Sequence, residues 1–255
     1  MTKIYEALEN AAERAKAAQG KSAEPVSTAP TPRVIPQVPA APSHNLEDSL
    51  EQTLAALYET IVTLLPGPKG KTIQFIAPHR GAGASTLIRA FAKVCAERLN
   101  KSVLLLDADP DSPAQVREFK LDTATGWDPL NDSDQDIQAT LNPVEGTGLA
   151  VSQLITRQSY KPLLLETSRF KGALNRLKES FDIVLVDAPP AADHSEGLTL
   201  ASKVDGIILV VESEKTRWQA LDSVSNRIRL GGGNILGAIM NKRRHHVPGV
   251  IYRRL

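Results

Sequence analysis

The residues of this chain whose types and spacing suit them to chemistry fall in three places: the run Arg80-Gly81-Ala82-Gly83-Ala84-Ser85-Thr86, the pair Asp107 and Asp109, and Asp187. Each follows or closes an apolar run with the character of a buried β-strand: "KTIQFIAP", "SVLLLDAD" and "FDIVLVD". Glycines let backbone N–H groups turn inward around phosphate oxygens, and a helix beginning near Ala84 adds the positive end of its dipole. A hydroxyl at Ser85 and carboxylates at neighbouring strand ends suit Mg²⁺, held directly or through water. The chemistry that these groups share is the binding of a magnesium nucleotide. Each part also has a plainer use, because glycine loops serve tight packing and strand-end aspartates cap the next helix. Their order along the chain favours the nucleotide site. One part is missing: a phosphate loop ordinarily carries lysine before its Ser/Thr, and Ala84 stands there. Two readings of Arg80 are open, a cation that swings in for the lysine or a solvated loop residue.

The elements that must position these groups alternate. "SLEQTLAALYETIVTLL" (49–65) places Leu54, Leu57, Ile61 and Leu64 at helical spacing, and "STLIRAFAKVCAERL" places Leu87, Ile88, Phe91 and Val94 on one face. "SRFKGALNRLKES" is amphipathic through Phe170, Leu174 and Leu177, and "TRWQALDSVSNRIRLGG" reads as a helix stopped by glycines. "VDGIILVVESE" and "NILGAIMNK" complete the set of buried strands, whereas 111–160 is irregular and polar. Repeated βα units build an α/β fold, a doubly wound, mostly parallel sheet in which ligands collect outside the carboxyl ends of the strands.

Composition bounds the rest. With 255 residues and a formal charge of +1, no bulk electrostatic case exists for nucleic acid as a partner. The single cysteine, Cys95, excludes an intramolecular disulfide framework and suits a small buried role on its helix. Residues 1–20 read as a short charged helix, 21–45 as a proline- and alanine-rich linker, and 46–255 as the folded body. The opening is too polar for a secretory signal and no apolar run is long enough to span a bilayer, so the expected place is the cytoplasm, with membrane contact only peripheral. The tail "NKRRHHVPGVIYRRL" reads equally as a contact for anionic lipid and as a solvated terminus. His245-His246 has too few companions to make a metal site, and His79, His194, Trp127 and Trp218 read as surface, packing or partner residues.

In combination, the loop, "VLLLDADPDSP", "FDIVLVDAPPAAD", "VDGIILVVESEKTRWQAL" and "GGNILGAIMNKRRHHVPGVIYRRL" resemble the bacterial tyrosine kinases of capsule and exopolysaccharide synthesis, deviant-Walker P-loop NTPases of the SIMIBI type. The likeness covers about 46–255, and the opening "KIYEALE" is similar to the start of stand-alone members. It implies ATP or ADP with Mg²⁺ as cofactor and a membrane-embedded polysaccharide co-polymerase as partner. It implies that Gly81, Gly83, Ser85 and Thr86 line the phosphates, and that Ser85, Asp107 and Asp187 organise Mg²⁺. Asp109 would activate a tyrosine hydroxyl, and Asn241 would face the adenine. Three departures stand beside it. Ala84 replaces the loop lysine; Gln52, Ala55 and Tyr58 replace the Glu-x-x-Arg-x-x-Arg of the family's oligomerisation helix; and Tyr252 is the sole tyrosine in a C-terminal region where active members carry a cluster. A lysine–phosphate bond contributes about 1.5–3 kcal/mol, so its loss weakens ATP binding about tenfold to somewhat over a hundredfold and costs more in the transition state. The expectation is a degenerate kinase that regulates polysaccharide synthesis. The alternative is an active kinase or ATPase with Arg80 in place of the lysine. A spatial-positioning ATPase of the partition type shares the fold and is disfavoured by a loop without lysine.

Overall fold

The computed structural model describes residues 46–120, 126–127, 139–154, 165 and 168–243, all within the structural unit 37–255. The expected N-terminal helix (1–20), the linker (21–45) and the basic tail beyond Arg243 lie outside the described residues. In chain order the elements are α1 (Leu46–Leu64), β1 (Lys71–Ile76), α2 (Ala84–Lys93), β2 (Val103–Asp107), α3 (Ala114–Glu118), β3 (Asn142–Pro143), β4 (Leu149–Gln153), α4 (Ser168–Ser180), β5 (Ile183–Asp187), α5 (Glu196–Ala201), β6 (Gly206–Glu212), α6 (Trp218–Leu230) and β7 (Ile235–Asn241). Helix α2 runs on through one π-helical turn, Val94–Arg98.

Among the described residues seven strands form one sheet in the order β3-β4-β2-β5-β1-β6-β7, parallel except where β3 meets β4. The central strands β2 and β5 are apolar up to their closing aspartates because both faces are covered, as parallel sheets require, whereas β1 also buries Thr72 and Gln74. Alternate residues divide between those faces. Ile73, Phe75, Leu105 and Leu185 pack under α1 and α2 against Leu54, Ile61, Ile88 and Phe91, with the Phe75 and Phe91 rings 5.8 Å apart. Leu104, Leu106, Val184 and Val186 pack on the other side under α4, against Phe170, Leu174 and Leu177. Burial of one such side chain contributes about 1.5–3 kcal/mol.

Several details depart from the expectation. Leu64 is exposed, and Tyr58 rather than Leu64 completes the buried stripe of α1, with Lys101 Nζ 5.6 Å from its ring centroid. Tyr58 therefore fills a core position. Strand β7, expected to be buried, is the sheet edge, and Met240 is 66% exposed there, because strand order is not written in an apolar run. The irregular stretch 111–160 contains β4, fully buried beside β2. Trp127 in the same stretch stacks on Phe170 at 5.4 Å, whereas Trp218 is 72% exposed. Cys95 is buried, and burial pushes its thiol up to about 12, which keeps it protonated and unreactive.

Candidate functional site

Sheet register brings the expected residues together. Asp107 and Asp187 are direct neighbours on β2 and β5, and Phe75 of β1 pairs with Asp187, so both acids lie at the carboxyl edge beside the loop that follows β1. The loop turns through Gly81 (φ 86°) and Gly83 (φ 92°), both left-handed, and Gly83 is the residue from which α2 begins. It borders a cavity of about 340 Å³ that also takes in Ser85, Thr86, Asp109, Ser112 and Lys242. That volume lies at the small end of the range for ligand sites, about 300–1,000 Å³.

Ser85 Oγ donates to Asp187 Oδ1 at 3.2 Å, and Gln115 Nε2 donates to Asp187 Oδ2 at 2.7 Å and to the Ser85 carbonyl at 2.9 Å. Asp187 is 1% exposed. Burial and the adjacent Asp107 carboxylate push its carboxyl from 3.8 up to about 7, against the hydrogen bonds from Gln115 and Ser85 that oppose the rise. A divalent cation beside these acids would relieve that repulsion. The donor set suits Mg²⁺, which takes a hydroxyl and one or two carboxylates and keeps other positions for water and phosphate. Among the described residues no three His, Cys, Asp or Glu side chains gather as a metal site of their own, so such an ion would need phosphate oxygens to complete its shell.

Asp107 has a second duty. Its Oδ2 accepts the Gln115 backbone N–H at 2.7 Å and its Oδ1 accepts that of Asp109 at 3.2 Å, so it caps the start of α3, the plainer use that its position on the strand allowed. Gln115 is absent from the residues singled out in the sequence, although it is fully buried and its Oε1 has no hydrogen-bond partner. A signal existed: "DSPAQ" puts a proline at the threshold of a helix directly after an acidic strand end, which aims the first-turn N–H groups back at those acids.

Asp109 and Arg80 occupy each other. Arg80 Nη1 lies 3.3 Å from Asp109 Oδ2 and Arg80 Nε lies 3.2 Å from Asp193 Oδ2, while Asp109 Oδ1 accepts the N–H groups of Asp111 and Ser112, each at 3.1 Å. Asn241, from the far end of the chain, donates through Nδ2 to the Ala82 carbonyl at 2.9 Å, so in this structure it braces the loop. His79 bonds Thr216 Oγ1 at 2.8 Å and His194 sits 2.9 Å from Asp111, both outside the Ser85–Asp187–Gln115 group.

The brace yields a test. A Cβ on Gly83 would come within 2.2 Å of Asn241 Nδ2, whereas a Cβ on Gly81 would meet nothing within 4 Å. Both substitutions carry a left-handed backbone cost of about 1–2 kcal/mol. Gly83→Ala should therefore lower the melting temperature more than Gly81→Ala. Adding Asn241→Ala should remove most of that excess in a double-mutant cycle read by thermal denaturation.

No protein-family model matches the chain. Over 204 residues it is 25% identical to the tyrosine-protein kinase Ptk of Acinetobacter johnsonii, covering 80% of this chain but only 28% of that kinase. Over 189 residues it is 25% identical to the tyrosine-protein kinase CpsD of Streptococcus agalactiae, covering 69% of this chain and 77% of the relative. Among solved structures, the kinase domain of the Escherichia coli tyrosine kinase ETK superposes with a TM-score of 0.65 at 19% identity over 78% of each chain. Cobyrinic acid a,c-diamide synthase from Mycobacterium smegmatis, solved with a bound ATP analog and magnesium, superposes at 0.57 with 19% identity over 72% of this chain and 78% of that one. The architecture is that of the α/β P-loop NTPases.

Proposed function

We propose that this chain, a homologue of the bacterial tyrosine-protein kinases, binds a magnesium nucleotide at the loop after β1 and works as a regulator without phosphotransfer. In this reading it acts in capsule or exopolysaccharide polymerisation at the cytoplasmic face of the inner membrane, docked on a membrane-embedded co-polymerase. The basic segment beyond Arg243 would meet anionic lipid. Support for the setting comes from the kinases named above and from the strand-end strings quoted in the sequence. Among the described residues no helix is long and apolar enough to cross a membrane, so attachment there falls to a partner or to other parts of the chain.

The observation that carries the absence of transfer is the Arg80–Asp109 ion pair at 3.3 Å. A general base must present a lone pair to the proton that it takes. Asp109 already accepts from three donors, which leaves about one of a carboxylate's four lone-pair sites, and one of those donors is the loop cation that would have replaced lysine. The candidate base and the candidate substitute neutralise each other. Binding is less affected, because Gly81, Gly83, Ser85 and Thr86 still edge the cavity and Ser85, Asp107 and Asp187 still offer the set for Mg²⁺. The magnesium would shield phosphate charge; the chain's own part is to orient the phosphates by loop N–H groups and the Ser85 hydroxyl.

The test is a phosphotransfer assay with radiolabelled Mg·ATP on the purified full chain, read by phosphotyrosine. Incorporation no higher than that of Asp109→Asn is expected. Transfer that Asp109→Asn abolishes would overturn the regulatory reading, and its loss in Arg80→Ala would favour the active-enzyme alternative.

A further inference from the structure

Position 84 supplies no cation to the phosphate loop, and Arg80 is committed to Asp109 and Asp193. Among the described residues another cation reaches the loop, and it arrives from the end of β7. Asn241 anchors that strand end on the Ala82 carbonyl, and its Oδ1 accepts the Lys242 N–H at 2.9 Å. Lys242 has φ 57°, a left-handed conformation that residues other than glycine seldom adopt outside constrained sites. Its side chain borders the same cavity as Gly81, Gly83, Ser85 and Thr86. Nζ donates to the Gly81 carbonyl and lies 3.3 Å from Glu212 Oε1. Its Cε is 3.8 Å from the point where a Cβ on Gly83 would stand.

We propose that Lys242 supplies, from the strand end, the phosphate-binding positive charge that Ala84 lacks. The proposal rests on the reading of the loop as a nucleotide site. A loop carbonyl is a weaker acceptor for an ammonium than a phosphate oxygen, and the flexible four-carbon stem of lysine lets Nζ move from one to the other. The move strands no carboxylate, because Glu212 Oε2 is paired with Lys215 at 3.2 Å. Arg80, by contrast, would leave two carboxylates, Asp109 and Asp193, in the same move.

The test is calorimetric titration of the full chain with Mg·ATP at several salt concentrations, for wild type, Lys242→Met, Lys242→Arg, Ala84→Lys and the double variant Lys242→Met/Ala84→Lys. Lys242→Met should weaken binding about ten- to a hundredfold. It should also flatten the salt dependence, because one charge–phosphate contact is lost. Lys242→Arg should keep most of the affinity, and Ala84→Lys should restore the Lys242→Met variant. Wild-type affinity in Lys242→Met would overturn the proposal and leave the nucleotide site standing. So would a loss that Ala84→Lys does not restore and that keeps the wild-type salt dependence, which marks a merely structural lysine. Binding by Ala84→Lys with none by wild type would show a loop that Lys242 does not serve. Binding by no variant would remove the nucleotide reading itself, and the proposal with it.

Discussion

Asp187→Asn should raise the melting temperature of the nucleotide-free protein at pH 8 and leave it nearly unchanged at pH 4. The native carboxyl titrates near 7 against an ordinary 3.8, because burial and the Asp107 charge oppose its ionisation. A native acid with a raised pKa holds its proton longer than the unfolded chain does. Stability is therefore not penalised below about pH 4, falls between about pH 4 and 7, and carries the full cost above pH 7. At 1.36 kcal/mol per pH unit the ceiling is about 4 kcal/mol. Asparagine never ionises, and its amide still offers an acceptor to Gln115 and a donor to Ser85. The expected gain at pH 8 is about 2–4 kcal/mol, or roughly 5–10 °C for a domain of this size. The same variant should lose Mg²⁺-dependent nucleotide affinity, since stability and function oppose each other at this carboxylate. Paired thermal melts at the two pH values check the sign, and a variant less stable at pH 8 would show that the bonds to Ser85 and Gln115 outweigh the burial cost.

Trp127→Ala should lower stability by about 3–5 kcal/mol, the usual cost of emptying a large aromatic site in a core. Trp127 is 2% exposed and stacks on Phe170 of α4 at 5.4 Å with the rings 10° from parallel. Its backbone N–H donates to the Gln153 carbonyl at 2.8 Å, joining the polar stretch after α3 to β4. The ring thus ties the connection between β2 and β4 to the helix that covers them. Stacking adds about 0.5–1.5 kcal/mol beyond burial, so Trp127→Phe should retain most of the stability. Denaturant unfolding of both variants checks the ranking, and equal losses would show that the indole bulk and not the stacking face matters.

How much of this was legible in the chain differs by element. The strands around "QFI", "VLLLD" and "IVLVD" announce themselves because a strand covered on both faces is mostly apolar, and these runs are rich in Val, Ile, Leu and Phe. β4 did not, since "LAVSQ" includes Ser152 and Gln153, whose burial depends on neighbours far away in sequence. Gly81, Gly83 and Ser85 were readable as candidate site residues because the chemistry proposed for them is carried by the backbone and by one hydroxyl in a contiguous run. Gln115 and Lys242 were not, because neither lies in that run. Gln115 reaches Asp187 across 72 positions and Lys242 reaches Gly81 across 161.

The sequence by itself determined the α/β architecture, the loop and the acids at the strand ends, since local periodicity and short motifs are properties of neighbours along the chain. Only the tertiary structure decided what those groups do to one another. Register on β2 and β5 set Asp107 beside Asp187 and so raised the latter's pKa, and the end of β7 carried Lys242 to the loop while Asp109 and Asp193 took Arg80. Charges interact through space over a few ångströms, and which charges come that close is set by strand order and packing.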